Sequence, residues 1–198
     1  MNIAILTFDG FNELDSFIAF GILNRVKKRG WSVNITAPSD TITSKGGVTI
    51  QAQRSLEFAN TADAVIFGSG TSTREIAKDS ELLSRLNLDS SNQILGSQCS
   101  GVLLMSALGL LNDMPICTDL KTRPFALDAG LELLDQPFIA SNNIATAGGC
   151  MSAQYLATWV IAKLTDIPTA EAALHFVAPI GNSRQYISET LGEVSPYL

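Results

Sequence analysis

One histidine, His175, and three cysteines, Cys99, Cys117 and Cys150, are all the chain offers of the residues that most often hold zinc. None of them stands in a Cys-x-x-Cys pattern, so no metal site is expected. An odd number of widely separated cysteines makes no disulfide framework. They read as free thiols of a reducing, cytoplasmic compartment. Positive charge is also scarce: 13 Lys and Arg face 19 Asp and Glu, for a net charge of −6. A nucleic-acid surface needs clustered cations to displace counterions, so none is expected. The basic cluster Arg25, Lys27, Lys28 and Arg29 reads as the end of a helix, where cations favour the helix dipole. No apolar run approaches the ~20 residues of a membrane helix. The first residues read directly as a strand, so no signal peptide is expected. Linkers, charge blocks and repeats are lacking too, and residues 1–198 read as a single domain.

What the chain does have is apolar residues, 46% of the total, in an alternation of strand and helix patterns. Asn2–Thr7, Ser32–Ala37, Val48–Gln51, Ala64–Phe67 and Gln93–Ser97 read as strands, and Ile116–Thr118 and Ile144–Thr146 as late ones. Helical spacing is expected over Glu13–Arg29, Ser72–Ala77, Glu81–Leu86, Gly101–Leu111, Pro124–Gly130, Gly149–Thr165 and Thr169–Phe176. Val177–Leu198 shows no clear period. Such alternation predicts an α/β sandwich of the flavodoxin type, a mostly parallel sheet with helices on both faces.

The stretch Gln93-Ile94-Leu95-Gly96-Ser97-Gln98-Cys99-Ser100-Gly101 carries the most chemistry. A buried strand enters a polar turn and a helix leaves at once, the arrangement of a nucleophile elbow. The helix N-terminus beside the sulfur would lower its pKa and favour a thiolate. Cys99 is therefore the expected nucleophile, whereas Cys117 and Cys150 read as buried small hydrophobes. Gly68-Ser69-Gly70-Thr71 follows another buried strand. Backbone amides at Ser69, Gly70 and Ser100 are the expected donors to a developing oxyanion. Asn12 suits a helix N-cap. Asp15 suits the first helical turn, or a carboxyl group aimed over the strand ends at Cys99 with its pKa raised by desolvation.

These pieces together resemble the DJ-1/PfpI superfamily. The resemblance rests on Ile3-Ala4-Ile5-Leu6-Thr7-Phe8-Asp9-Gly10-Phe11 with Leu14-Asp15, on Gly68-Ser69-Gly70-Thr71, and on Gln98-Cys99-Ser100-Gly101 followed by Ala107-Leu108-Gly109-Leu110-Leu111. Late in the chain, Ile144-Ala145-Thr146-Ala147-Gly148-Gly149 looks like the family's strand ending in Thr-x-Gly-Gly. The chain is most similar to the isocyanide hydratase branch and to the amidotransferase-like domains of AraC-type regulators. The resemblance implies Cys99 as nucleophile, Asp15 in place of a glutamate beside it, and oxyanion donors at Ser69 or Gly70 and Ser100. It implies a cofactor-free hydratase or lyase adding water to a small electrophile such as an isocyanide or a carbonyl. Other roles in the superfamily are a redox sensor, a small-molecule-sensing domain, a glyoxalase and an amidase. The histidine of protease-like members is missing, and Asp119 stands in the corresponding stretch. Asp119, Thr118 and Gly149 are expected around the pocket, and His175 is expected to be structural. The regulators' DNA-binding domain would need roughly a hundred more residues. Family members imply a homodimer, and Phe17 and Phe20 are compatible with one.

Overall fold

Continuous apolar runs become the strands of one sheet, because strands covered by helices on both faces need no polar side. The computed structural model describes residues 1–198. In chain order its elements are β1 (Asn2–Leu6), α1 (Glu13–Leu23), β2 (Ser32–Ala37), β3 (Thr41–Thr43), β4 (Thr49–Gln51), β5 (Arg54–Ser55), β6 (Ala64–Phe67), α2 (Thr73–Ile76), α3 (Ser80–Leu83) and β7 (Ile94–Gln98). There follow α4 (Val102–Ala107), α5 (Arg123–Asp128), β8 (Phe138–Ser141), β9 (Ile144–Ala147), α6 (Ala153–Leu164), α7 (Ile167–His175) and α8 (Ser183–Val194). The main sheet has the order β5-β2-β1-β6-β7-β9-β8, while β3 and β4 form a separate hairpin. All neighbours in the main sheet are parallel except β8, which runs antiparallel to β9.

Side chains of a strand alternate between faces, and the two faces carry separate cores. On one face Ile3, Ile5, Val33, Ile35 and Ile66 pack with Leu23 of α1 and with Leu156, Trp159 and Val160 of α6. On the other, Ala4, Leu6, Val65, Phe67 and Leu95 pack with Val102, Leu103 and Leu104 at and beyond the start of α4. Trp159 is fully buried, and its ring and that of Tyr197 both meet Phe138 of the edge strand β8, with centroids 6.2 and 5.6 Å from it.

Several expected boundaries shift. The first helix stops at Leu23 rather than Arg29, because side chains satisfy its last carbonyls: Asn24 Nδ2 donates to Phe20 O (2.9 Å) and Trp31 Nε1 to Leu23 O (2.9 Å). The basic cluster therefore lies beyond the helix rather than in its last turn. Ile116–Thr118 forms no strand, only one bridge between Ile116 and Leu133. The helices expected from Gly101 and Gly149 begin at Val102 and Ala153, each after a short 3-10 turn, Cys99–Gly101 and Cys150–Ser152. The tail without a clear period contains α8, whose buried positions Ile187, Thr190 and Val194 include a threonine that hides the apolar stripe.

Candidate active site

The carboxyl ends of β1, β6, β7 and β9 lie side by side in the sheet order. The chain leaves β1 toward β2 on one side and β6 toward β7 on the other. The gap between such ends is where open α/β sheets bind ligands. The loops after β1 and β6 are tied together there: Asn12 N–H donates to Ser69 O (2.8 Å) and Thr71 N–H to Gly10 O (2.9 Å).

Cys99 is the first residue beyond β7 and has φ +48°, in the left-handed region that a non-glycine residue seldom occupies. Two contacts impose that turn. Thr118 Oγ1 donates to Cys99 O at 2.9 Å. A Cβ on Gly101 would sit 2.4 Å from Phe67 O, so only glycine lets this turn lie against the end of β6. The sulfur is thereby held at the strand ends, 3.6 Å from Gln98 Nε2, in a residue only 3% exposed.

Asp15, in the first turn of α1, is fully buried. Its Oδ2 accepts hydrogen bonds from Ser69 Oγ, a short contact, and from Asn12 Nδ2 at 3.2 Å, while Oδ1 has no partner. A carboxylate oxygen of Asp15 and the sulfurs of Cys99 and Cys150 all lie within 4.8 Å of one another. This trio is also the one cluster of metal-ligand type in the structure. Asn12 Nδ2 donates to Cys150 Sγ as well, at 3.1 Å.

Two sequence expectations are corrected here. Asn12 makes no side-chain cap to the helix; its amide is turned into the site. Cys150 is not a core cysteine: it is half-buried and shares the site with Cys99, whereas Cys117 is fully buried.

The expected thiolate is corrected as well. Burial pushes the Cys99 thiol far above the ordinary thiol range, and the negative charges of Asp15 and then Asp119 push it further. The helix it precedes is only six residues long. Burial and its carboxyl neighbour favour the protonated thiol at Cys99. Cys150 is also raised, by burial first and Asp15 second, though Asn12 and Cys99 oppose the rise.

Of the expected backbone donors, Gly70 N–H is engaged, while Ser69 and Ser100 make hydrogen bonds through their hydroxyls. Ser69 contributes its hydroxyl to Asp15. Gly70 N–H donates to Thr73 Oγ1 at 3.0 Å, with Ser100 Oγ 3.4 Å away, and Ser100 Oγ itself donates to Thr73 Oγ1 at 3.0 Å. A substrate oxyanion would have to take Gly70 N–H from that hydroxyl. Gly149 O accepts from Gln98 Nε2 at 2.8 Å. Asp119 caps the next turn, accepting from Lys121 N–H (2.9 Å) and Thr122 Oγ1 (2.6 Å). Cys99, Ser69, Gly70, Ser100, Thr118, Asp119, Gly149 and Cys150 all line one cavity of ≈ 930 Å³. His175 does not; it is exposed on α7, 3.8 Å from Glu171.

Sequence reasoning passed over Asn12 as a ligand, Gln98 as the buried amide linking Cys99 to Gly149, and Cys150. For Cys150 a signal existed: it follows Gly148-Gly149 at the end of a strand, as Cys99 follows Gln98. The parallel register that pairs Gln98 with Ala147 brings the two ends together.

Similar architecture occurs in solved structures. A ThiJ/PfpI family protein from Pseudomonas syringae aligns with a TM-score of 0.79 at 20% identity, covering 98% of this chain and 87% of its own. Schizosaccharomyces pombe DJ-1 aligns with a TM-score of 0.74 at 18% identity, covering 87% of this chain and 96% of its own. An oxidized Toxoplasma gondii DJ-1 aligns with a TM-score of 0.74 at 16% identity, covering 89% and 97%. At such identity these likenesses speak for the fold. No curated protein matches in sequence. The DJ-1/PfpI family matches residues 1–163, most of the chain and every residue of the site, and the chain therefore belongs to the DJ-1/PfpI family.

Proposed function

We propose that the protein is a cofactor-free hydratase in which Cys99 adds to the electron-poor carbon of a small electrophile such as an isocyanide or a carbonyl. The observation that carries this reading is the contact of a protonated, buried thiol with a buried carboxyl group whose Oδ1 has no partner. A thiol is a poor nucleophile until its proton leaves, and Asp15 is the group within reach to take it. With an isocyanide, the Cys99 sulfur bonds to the terminal carbon. The thiol proton passes through Asp15 to that same carbon, leaving a thioimidate. Water then adds to the thioimidate carbon and the carbon–sulfur bond breaks. The sulfur recovers its proton, and an N-substituted formamide departs. A carbonyl gives a thiohemiacetal by the same proton route.

An amidase or protease of the Cys-His kind is disfavoured, because no histidine lines the cavity. The test is incubation with simple alkyl and aryl isocyanides, and separately with a small dicarbonyl, followed by proton NMR. Formamide production that is lost in Cys99→Ala, and reduced at least about a hundredfold in Asp15→Asn, is the expected result. Turnover that survives in Cys99→Ala would overturn the reading. Products only from the dicarbonyl would move it to the glyoxalase alternative.

A second reading, a redox or small-molecule sensor, uses the same thiol, and one structural relative is described in an oxidized form. The closeness of Cys99 and Cys150 favours it specifically. We also infer a homodimer: Leu14 and Phe17 of α1 and Met151 of the turn packed against it are exposed, offering apolar surface to a second copy. Light scattering in solution would measure it.

A further inference from the structure

We propose that Cys150 and Cys99 form a reversible intramolecular disulfide under hydroperoxide, which switches off the Cys99 nucleophile and shields it from irreversible oxidation. This goes beyond the hydratase reading and does not depend on it.

The geometry is specific. The two sulfurs sit within 4.8 Å of each other, at the ends of strands in register. A disulfide needs about 2.05 Å, so the closing movement is at most about 3 Å. Both sulfurs open on the same cavity, through which a hydroperoxide can reach them. The Cys150 sulfur accepts from Asn12 Nδ2 and faces Cys99, and its neighbour Met151 points outward, 64% exposed. The remaining cysteine, Cys117, is sealed in the core and does not line the cavity.

The two thiols differ in a way that orders the steps. Cys150 is the more exposed, and although burial and Asp15 raise its pKa, Asn12 and Cys99 oppose that rise, whereas nothing opposes the rise of Cys99. The Cys150 thiolate attacks one oxygen of the hydroperoxide. The oxygen–oxygen bond breaks, the sulfur loses two electrons to become a sulfenic acid, and the other oxygen leaves as water or alcohol after taking a proton. Cys99 then attacks the Cys150 sulfur while Asp15 takes the Cys99 proton. The sulfur–oxygen bond breaks, and hydroxide leaves as water with that proton. One hydroperoxide is reduced and two thiols become one disulfide. An external dithiol reverses the change, since the Cys99–Cys150 bond opens on the cavity.

The experiment is intact-mass and peptide-mass analysis of the reduced full chain after titration with hydrogen peroxide in the presence of a chelator. The wild type and Cys117→Ser should each lose 2 Da, with the peptides of Cys99 and Cys150 joined, and dithiothreitol should restore the original mass. Cys150→Ser and Cys99→Ser should show no such loss. In Cys99→Ser the Cys150 peptide, with no thiol to resolve its sulfenic acid, should instead gain 16 or 32 Da. A wild type that gains 16 or 32 Da without losing 2 Da, or a 2 Da loss that persists in Cys150→Ser, would overturn the proposal. The readout is mass, so absence of hydratase turnover leaves it intact, and turnover does not rescue it.

Discussion

Cys99 and Asp15 meet from elements that are far apart in the chain, the turn after β7 and the first turn of α1, and the carboxyl group makes a charge on the sulfur costly. A thiolate beside a carboxylate in a buried place is disfavoured twice, by lost solvation and by repulsion. Both effects keep the proton on the Cys99 sulfur.

Replacing Asp15 by asparagine removes the repulsion while keeping the shape. The Cys99 thiol should then ionise more easily, though burial, the largest influence, still holds it above the ordinary range. Alkylation of the Cys99 peptide by iodoacetamide at pH 9 should speed up about tenfold, the effect of roughly one pKa unit. An unchanged or slower rate would show that the carboxyl group does not govern the sulfur.

Stability should fall on the alkaline side. The unfolded chain releases thiol protons near the ordinary value of about 8.5, while the folded chain keeps that of Cys99, so the unfolded state binds fewer protons. Cys117, pushed to about 12 by burial, acts in the same direction. With reductant present, unfolding free energy from urea titration should drop between pH 9 and pH 10 by ~1.4 kcal/mol for each such thiol. The Cys99→Ala variant should show a shallower drop. Equal slopes in the two proteins would exclude Cys99 from the effect.

Two glycines give opposite expectations from the same substitution. Gly101→Ala would drive a methyl group onto the Phe67 carbonyl and should destabilise the chain by about 1–3 kcal/mol. Gly192→Ala, within α8 and with open space around it, should stabilise by up to about 1 kcal/mol through helix propensity. Thermal unfolding of both variants checks the pair.

The sheet and the place of Cys99 at a strand-to-helix turn were legible because their signals are local. Ala64–Phe67 and Ile94–Gln98 are short apolar runs with polar turns attached, and Cys99 stands at the only such turn that carries a cysteine next to the strand. Asp15 was half-legible: its place in a first helical turn was readable, but its burial beneath Ser69 depends on the loop after β6. Cys150 was only partly legible: its place after the strand end Gly148-Gly149 could be read, but not that this end lies beside Cys99. Asn12 misled, because an N-cap residue and a ligand to a buried carboxyl group look the same in sequence. The charge state of Cys99 was the largest miss: a helix N-terminus is visible in sequence, whereas the depth of burial that outweighs it is not.

The site is complete only when the whole sheet is. Asn12, Asp15, Ser69, Cys99 and Cys150 come together only when β1, β6, β7 and β9 lie side by side, so no fragment of local structure contains it. In a loosened or half-built chain Cys99 would be an ordinary, solvent-exposed thiol, ionising far more readily than in the finished fold. Native folding thus muffles the sulfur toward indiscriminate reagents, and a gentle thiol-labelling rate becomes a gauge of how much of the population is fully assembled.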